Sequence, residues 1–388
     1  PSMVAGVSYR RKILSYMILV AAIETTQKTT NTVIIIRSIL LLLNFFADTT
    51  IITTFFGNYK GVNRMQFSPS YQFSVLPEET FAQEMTAIAS ELEACRQEGT
   101  FQSFDGKPLY YEYFQAQGSR GAVVIAHGLS EFTGKYHEFA WYLLNQGYDV
   151  FLYDQRCHGR SCRLTDRQDM IHTDHFTDYY KDLHCFVENV VRRATDLPLY
   201  LYAHSMGGAV AVQYMARYPE IFTKAVLSAP MIQPLTGNVP PVVARWGLSA
   251  YLLFGNGKKK FWLADEFDPE YPFSRSQDRS LARFQRNMEI RLANPCYCTT
   301  PQTIRWIQQS LLLRPKLTRK SFLRKLQTPI LMLCAEQDKV VCFQAQTQFA
   351  KNCPVCRQIV IPGATHSMLW GTQEVIAANV QAVLDHFC

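Results

Sequence analysis

The run Leu199-Tyr-Leu-Tyr-Ala-His-Ser205-Met-Gly-Gly-Ala209 constrains this chain more than any other stretch. An apolar, β-prone segment, Leu199 to Tyr202, leads into Ala-His-Ser-Met-Gly-Gly. A helix-compatible segment, Ala209 to Arg217, follows and is closed by Pro219. Strand, sharp turn and helix with a serine at the apex is the geometry of a nucleophile elbow, which lifts the hydroxyl above a sheet at a helix N-terminus. Small residues must flank the serine, because the turn brings strand and helix backbones close together. Gly207 meets that need on one side, whereas Ala203 adds one methyl group on the other, where glycine is usual. Read alone, the run is also compatible with a strand-loop-helix carrying an incidental serine.

Around the elbow the chain alternates. The spacing of Phe81, Met85, Ile88, Ala89 and Leu92 predicts an amphipathic helix within Glu78 to Arg96. Phe101 to Phe104 and Leu109 to Phe114, joined by Asp105-Gly106, predict a β-hairpin. Ala122 to Ala126 is a short continuous apolar run of the kind buried on both faces. A helix from Tyr136 to Asn145, a strand from Asp149 to Tyr153 and a helix from His175 to Arg193 precede the elbow. Ala225 to Ser228 is the next strand, and the pattern then lapses through an aromatic- and proline-rich stretch containing Trp246, Tyr251, Phe254, Phe261 and Trp262. It resumes with a strand at Ile330 to Cys334, a helix at Phe343 to Lys351, a strand at Arg357 to Ile361 and a closing helix at Gln373 to Phe387. Such alternation predicts an α/β fold with a mostly parallel sheet and helices on both faces. The expected organisation is a core over 65–230 and 326–388, with a cap inserted at 231–325.

A serine hydroxyl is a poor nucleophile unless a histidine accepts its proton and a carboxylate orients that histidine. Two later strand ends supply candidates, Glu336-Gln-Asp338 and Gly363-Ala-Thr-His366. Asp338 is the expected carboxylate, although it also suits a cap before Val340, and Glu336 competes with it. Ser205, Asp338 and His366 follow the chain order nucleophile, acid, histidine. An oxyanion needs backbone N–H donors. Met206, after the serine, and Leu129, in the turn His127-Gly-Leu-Ser-Glu131, are the candidates. His127 is expected to support that turn rather than act as a base.

Together with Asp154-Gln-Arg-Cys-His-Gly-Arg-Ser161, these motifs resemble the lysophospholipase and monoacylglycerol lipase branch of the α/β-hydrolases, over roughly Phe101 to Phe387. The resemblance implies an eight-stranded sheet, a helical cap and a serine-esterase mechanism on lipid monoesters without cofactor or metal. It carries the catalytic roles onto Ser205, Asp338 and His366, and the oxyanion donors onto Leu129 and Met206. Ala203 and Cys157 stand where that family has glycine.

Composition narrows the partners. A net charge of +7 is moderately basic, and no nucleic-acid signature accompanies it. Lys258-Lys259-Lys260 beside Phe254, Phe261 and Trp262 suits peripheral contact with an anionic membrane as well as an ordinary solvated face. A second basic cluster runs from Arg314 to Lys325. Eleven cysteines without a regular framework favour a reducing, cytoplasmic setting. Cys353-Pro-Val-Cys356 and His172-Thr-Asp-His175 are poor metal candidates, and Asp174 is expected to cap a helix. Residues 1–64 read as an anchor, a targeting segment or an extension. Acidic Asp265, Glu266, Asp268 and Glu270 keep an aminopeptidase open, and thioesterase, acyltransferase or non-catalytic membrane-binding roles remain beside it.

Overall fold

The computed structural model describes residues 73–388; the expectations for residues 1–64 lie outside the described residues. Strands β1 (Gln97–Gln102), β2 (Pro108–Phe114), β3 (Gly121–Ala126), β4 (Tyr148–Tyr153), β5 (Leu199–His204), β6 (Lys224–Ser228), β7 (Ile330–Ala335) and β8 (Cys356–Ile361) form one sheet. Their order is β1-β2-β4-β3-β5-β6-β7-β8. The first two form the expected hairpin, β2 pairs antiparallel with β4, and every later pairing is parallel.

The apolar runs explain the middle of this order. β3, β4 and β7 are buried at every position, as strands covered on both faces must be, whereas the edge strands β1 and β8 carry exposed residues. Alternate side chains divide between two layers. Ala122, Val124, Leu201 and Ala203 join one core with Tyr179, Leu183 and Met215, while Val123, Ile125 and Tyr202 join the other with Phe81, Phe139 and Val380. The helices that cover these faces are α1 (Phe81–Cys95), α2 (His137–Asn145), α3 (Thr177–Phe186) and α4 (Met206–Arg217) in the first part of the chain. α3 runs on through a π-helical turn, Val187–Val191.

Between β6 and β7 no strand joins the sheet. This segment holds α5 (Pro241–Tyr251), α6 (Leu281–Ala293), α7 (Ile304–Leu311), α8 (Leu313–Leu317) and α9 (Lys320–Leu323); α10 (Phe343–Asn352) and α11 (Gln373–Phe387) complete the chain. The inserted segment is fastened through Arg283 of α6, whose side chain is 1% exposed. Its guanidinium donates to both carboxylate oxygens of Glu138 at 2.6–3.2 Å, to Glu78 at 3.3 Å and to the Leu76 carbonyl at 3.0 Å. Glu78 in turn accepts the Ala282 amide at 2.8 Å, holding the start of α6. α7 adds Trp306, which donates to the Tyr179 hydroxyl of α3 at 3.0 Å.

Several boundaries differ from the sequence reading, and β1 differs most, running Gln97–Gln102 against an expected Phe101 to Phe104. α4 begins at Met206, three residues before Ala209, because Gly207 and Gly208 belong to its first turn. α3 starts at Thr177 with no side-chain cap, so Asp174 does not cap it; its carboxylate lies 3.4 Å from His172 Nε2 instead. The first described helix starts at Phe81 rather than Glu78, because Glu78 is engaged by Arg283 and α6. Among the described residues no helix is long and apolar enough to cross a membrane.

The buried Arg283–Glu138 pair makes a specific stability prediction. Glu138→Leu leaves Arg283 buried beside only a half-exposed carboxylate and destabilises the fold by about 3–5 kcal/mol. Adding Arg283→Met recovers most of that loss. Urea unfolding of the single and double variants reads both effects.

Candidate active site

β5 ends at His204, and Ser205 takes φ 50° and ψ −114°, a left-handed conformation unusual for a residue with a side chain. Such strain costs about 1–3 kcal/mol and persists only where the surroundings fix it. Here they do so through hydrogen bonds: the Ser205 amide donates to the Ser228 carbonyl at 3.0 Å, and the Ser205 carbonyl accepts the Gly208 and Met231 amides at 3.0 and 2.8 Å. The glycines are required by space. A β-carbon on Gly207 would lie 2.1 Å from the Ala126 carbonyl oxygen, and one on Gly208 would lie 2.6 Å from Pro230 Cβ. Ala203 tolerates its methyl because it is an ordinary strand position, paired with Ala126 and Leu227 and buried in the core.

The loops after β7 and β8 bring Asp338 and His366 to this turn. The Ser205 hydroxyl lies 2.9 Å from His366 Nε2, and His366 Nδ1 lies 2.8 Å from Asp338 Oδ2. Ser205 and His366 are 5% and 7% exposed, and the Asp338 side chain is 1% exposed. Asp338 also serves its own turn, since Oδ1 accepts the Val340 and Val341 amides at 2.8 and 3.0 Å. Burial opposes its charge, yet the His366 hydrogen bond and these amides prevail and hold the carboxyl below its usual range. Glu336, the competing carboxylate, accepts the Gly363 amide at 2.9 Å and braces the β8 loop. A hydroxyl donating to an imidazole that a carboxylate orients is the arrangement that turns an alcohol into a nucleophile.

Facing the elbow, β3 ends in the turn from His127 to Glu131. Among the described residues, the Leu129 and Met206 amides donate to no protein acceptor. Met206 opens α4, where the first amides lack helical partners and the helix dipole favours negative charge. His127 is a support: Nε2 accepts the Gln155 amide at 2.9 Å and Nδ1 donates to the Gly128 carbonyl at 2.7 Å. Burial pushes its pKa down to about 4, so the ring is neutral.

Residues that the sequence reading passed over hold this turn. Buried Glu131 accepts the Gly128 amide and the Tyr136 hydroxyl, both at 2.6 Å, and pairs with Lys135 at 2.8 Å. Burial opposes its charge, but the Lys135 ammonium and the Tyr136 hydroxyl keep the carboxyl well below its usual value. Lys135 also lies over the Trp370 ring, 3.6 Å from its centroid. The signal was present as the ion-pair spacing of Glu131 and Lys135, four residues apart. From the inserted segment, the Gln277 carbonyl accepts the Thr365 hydroxyl at 2.5 Å, and Trp370 accepts the Arg279 and Ser280 amides at 2.7 and 3.2 Å. Those contacts fix the loop that carries His366. Asp154 braces the remaining rim, accepting the Thr133 and Arg160 amides at 2.8 Å each.

The neutral histidine sets a pH dependence. Its folded pKa of about 4 lies below the ordinary value of 6.5. Its contribution to stability is therefore complete above pH 6.5 and is lost as pH falls towards 4, because only the unfolded chain takes the proton there. In His127→Gln the drop in unfolding free energy between pH 6.5 and 4 is smaller than in the parent. Urea titrations across that range measure it.

Comparison with known proteins places the chain in a family. The family model described as serine aminopeptidase, S33, matches residues 117–373. Lysophospholipase L2 of Escherichia coli strain K12 is 30% identical over 303 residues, spanning 75% of this chain and 87% of that protein. A monoacylglycerol lipase of Mycolicibacterium smegmatis is 32% identical over 150 residues, 38% of this chain and 52% of that protein. In structure, a soluble variant of monoglyceride lipase from Saccharomyces cerevisiae superposes with a TM-score of 0.61 at 20% identity, covering 75% of this chain and 94% of that one. The chain is a hydrolase with the α/β-hydrolase fold and belongs to the serine aminopeptidase S33 family.

Proposed function

We propose that this hydrolase is a serine carboxylic-ester hydrolase acting on lipid monoesters, a lysophospholipid or a monoacylglycerol. The observation that carries the reading is the hydrogen-bonded series Ser205, His366, Asp338, assembled from three strand ends beside two unpartnered amides. His366 takes the proton of Ser205 as its oxygen attacks the ester carbonyl, and Asp338 holds the imidazole tautomer. The oxyanion of the tetrahedral intermediate is received by the Leu129 and Met206 amides. His366 then protonates the leaving alcohol, and water, deprotonated by the same imidazole, releases the fatty acid.

A lipid substrate is supported by the relatives, which are named for lysophospholipid and monoacylglycerol hydrolysis, and by the inserted segment acting as a cap. It exposes large apolar side chains: Trp246, Leu253 and Phe254 are 66%, 73% and 76% exposed, with Val242 and Leu263 also exposed. Arg245 and Lys258 lie close to them in the chain. Apolar side chains beside cations suit an anionic bilayer, where each basic residue near the surface contributes about 1 kcal/mol. The peptidase reading is less well served. Asp265, Glu266, Asp268 and Glu270 are all exposed; Glu266 pairs with Arg167 at 2.6 Å and Lys260 at 2.5 Å, and Asp268 accepts the Glu270 amide at 2.9 Å.

Two experiments test these points. A fluorophosphonate probe labels the parent and not Ser205→Ala, whose kcat on p-nitrophenyl esters falls on the order of 10⁶-fold, and Asp338→Asn loses about 10⁴-fold. Labelling that survives in Ser205→Ala overturns the assignment. Trp246→Ser combined with Phe254→Ser weakens sedimentation with anionic vesicles by about tenfold or more while hydrolysis of a soluble ester is unchanged.

A further inference from the structure

A cavity of about 240 Å³ lies between α1, β2, the turn into α2 and α6. None of Ser205, Asp338, His366, Leu129 and Met206 lines it. One wall is apolar, with Ala89, Leu92 and Ile290; the rest is polar, with the donors Arg96, Arg160, Arg286 and Tyr297 beside the carboxylates Glu93 and Glu112.

The charges around it are matched with one exception. Arg96 lies 2.8, 3.2 and 3.9 Å from Glu93, Glu98 and Glu112. Arg160 pairs with Glu98 at 3.0 Å, and Glu112 lies 2.8 Å from His137 Nε2. Arg286 of α6 is half-buried and, among the described residues, has no carboxylate within ion-pair distance. Burial disfavours its charged form, and the more distant Glu289 and Glu138 offset that only in part. A guanidinium partly removed from water without an anion is costly, and its five donors match a bidentate oxyanion.

We infer that this cavity binds a phosphate group, gripped by Arg286 with Arg160 and Tyr297, either as the free ion or as a compact ester of glycerol-phosphate size. The volume falls below the ~300–1,000 Å³ of pockets that enclose drug-sized ligands, so a long acyl chain does not fit. Ala89, Leu92 and Ile290 provide the surface against which a short carbon skeleton rests. Because the cavity is separate from Ser205, the inference stands independently of the ester-hydrolase reading.

Isothermal titration calorimetry on the full chain tests it, with sn-glycerol 3-phosphate, inorganic phosphate, acetate and glycerol as probes. Both phosphates bind the parent and Ser205→Ala, and Arg286→Gln weakens them by about tenfold or more, the fold-change of one charge-assisted hydrogen bond. Ala89→Leu, which fills the cavity without touching its charges, blocks binding as well. Tighter binding of glycerol 3-phosphate assigns the site to an ester, and equal binding assigns it to the free ion. Absence of heat with either phosphate, unchanged affinity in Arg286→Gln, or acetate binding as tightly as the phosphates overturns the inference.

Discussion

The structure turns on how closely α4 approaches the end of β3. A carbonyl oxygen of Ala126 occupies the space where a side chain on Gly207 would begin, and Pro230 does the same for Gly208. That approach forces Ser205 into its left-handed conformation and leaves the Met206 amide beside the His127–Glu131 turn. The strain is held by three backbone hydrogen bonds, from Ser205 to Ser228 and from Gly208 and Met231 to Ser205. Ser130, Cys157 and Ala229 also take positive φ, and each lies in a turn that follows a sheet strand. Strained backbone is thus concentrated at one end of the sheet, where the core beneath is rigid enough to sustain it.

Electrostatics then keep that end in one arrangement. His127 and His204 are buried and neutral, with pKa values pushed down to about 4, so neither competes with His366 for a proton near neutral pH. Glu131 carries the buried negative charge, and Lys135 compensates it while resting on Trp370. This links the turn carrying Leu129 to the loop carrying His366 through two side chains. On the mechanism proposed above a fixed turn matters, because donors aimed in advance at a developing oxyanion need no reorganisation during reaction.

The inserted segment has two characters. Its second part is tied down: Arg283 to Glu138, Gln277 to Thr365, Tyr297 stacked on Phe132 with centroids 4.3 Å apart, and Trp306 to Tyr179. Its first part packs chiefly in a small cluster around Leu248, Ile304 and Leu311 and exposes Trp246, Leu253 and Phe254. Backbone hydrogen bonds from Leu235 to Val340 and from Phe261 to Gln302 anchor the two ends of that part.

Local chemistry alone determined much of this protein. The period-2 division of Val123 to Ile125, the wholly apolar β3 and β7, and the small residues around Ser205 prescribe a parallel sheet and an elbow, because backbone sterics and burial act within a few residues. The order of Ser205, Asp338 and His366 was legible for the same reason, each lying just past an apolar strand. What only the tertiary structure decided concerns partners far apart in sequence. Asp338 rather than Glu336 meets His366 because one carboxylate faces the neighbouring loop and the other is drawn to the Gly363 amide. Glu78, Glu138 and Arg283 converge from three segments, and that Arg286 lacks a carboxylate partner among the described residues is apparent only once its neighbours' charges are paired in space. Charge compensation and cavity shape depend on distances that no local spacing encodes, since chain folding brings together residues that propensity treats as independent.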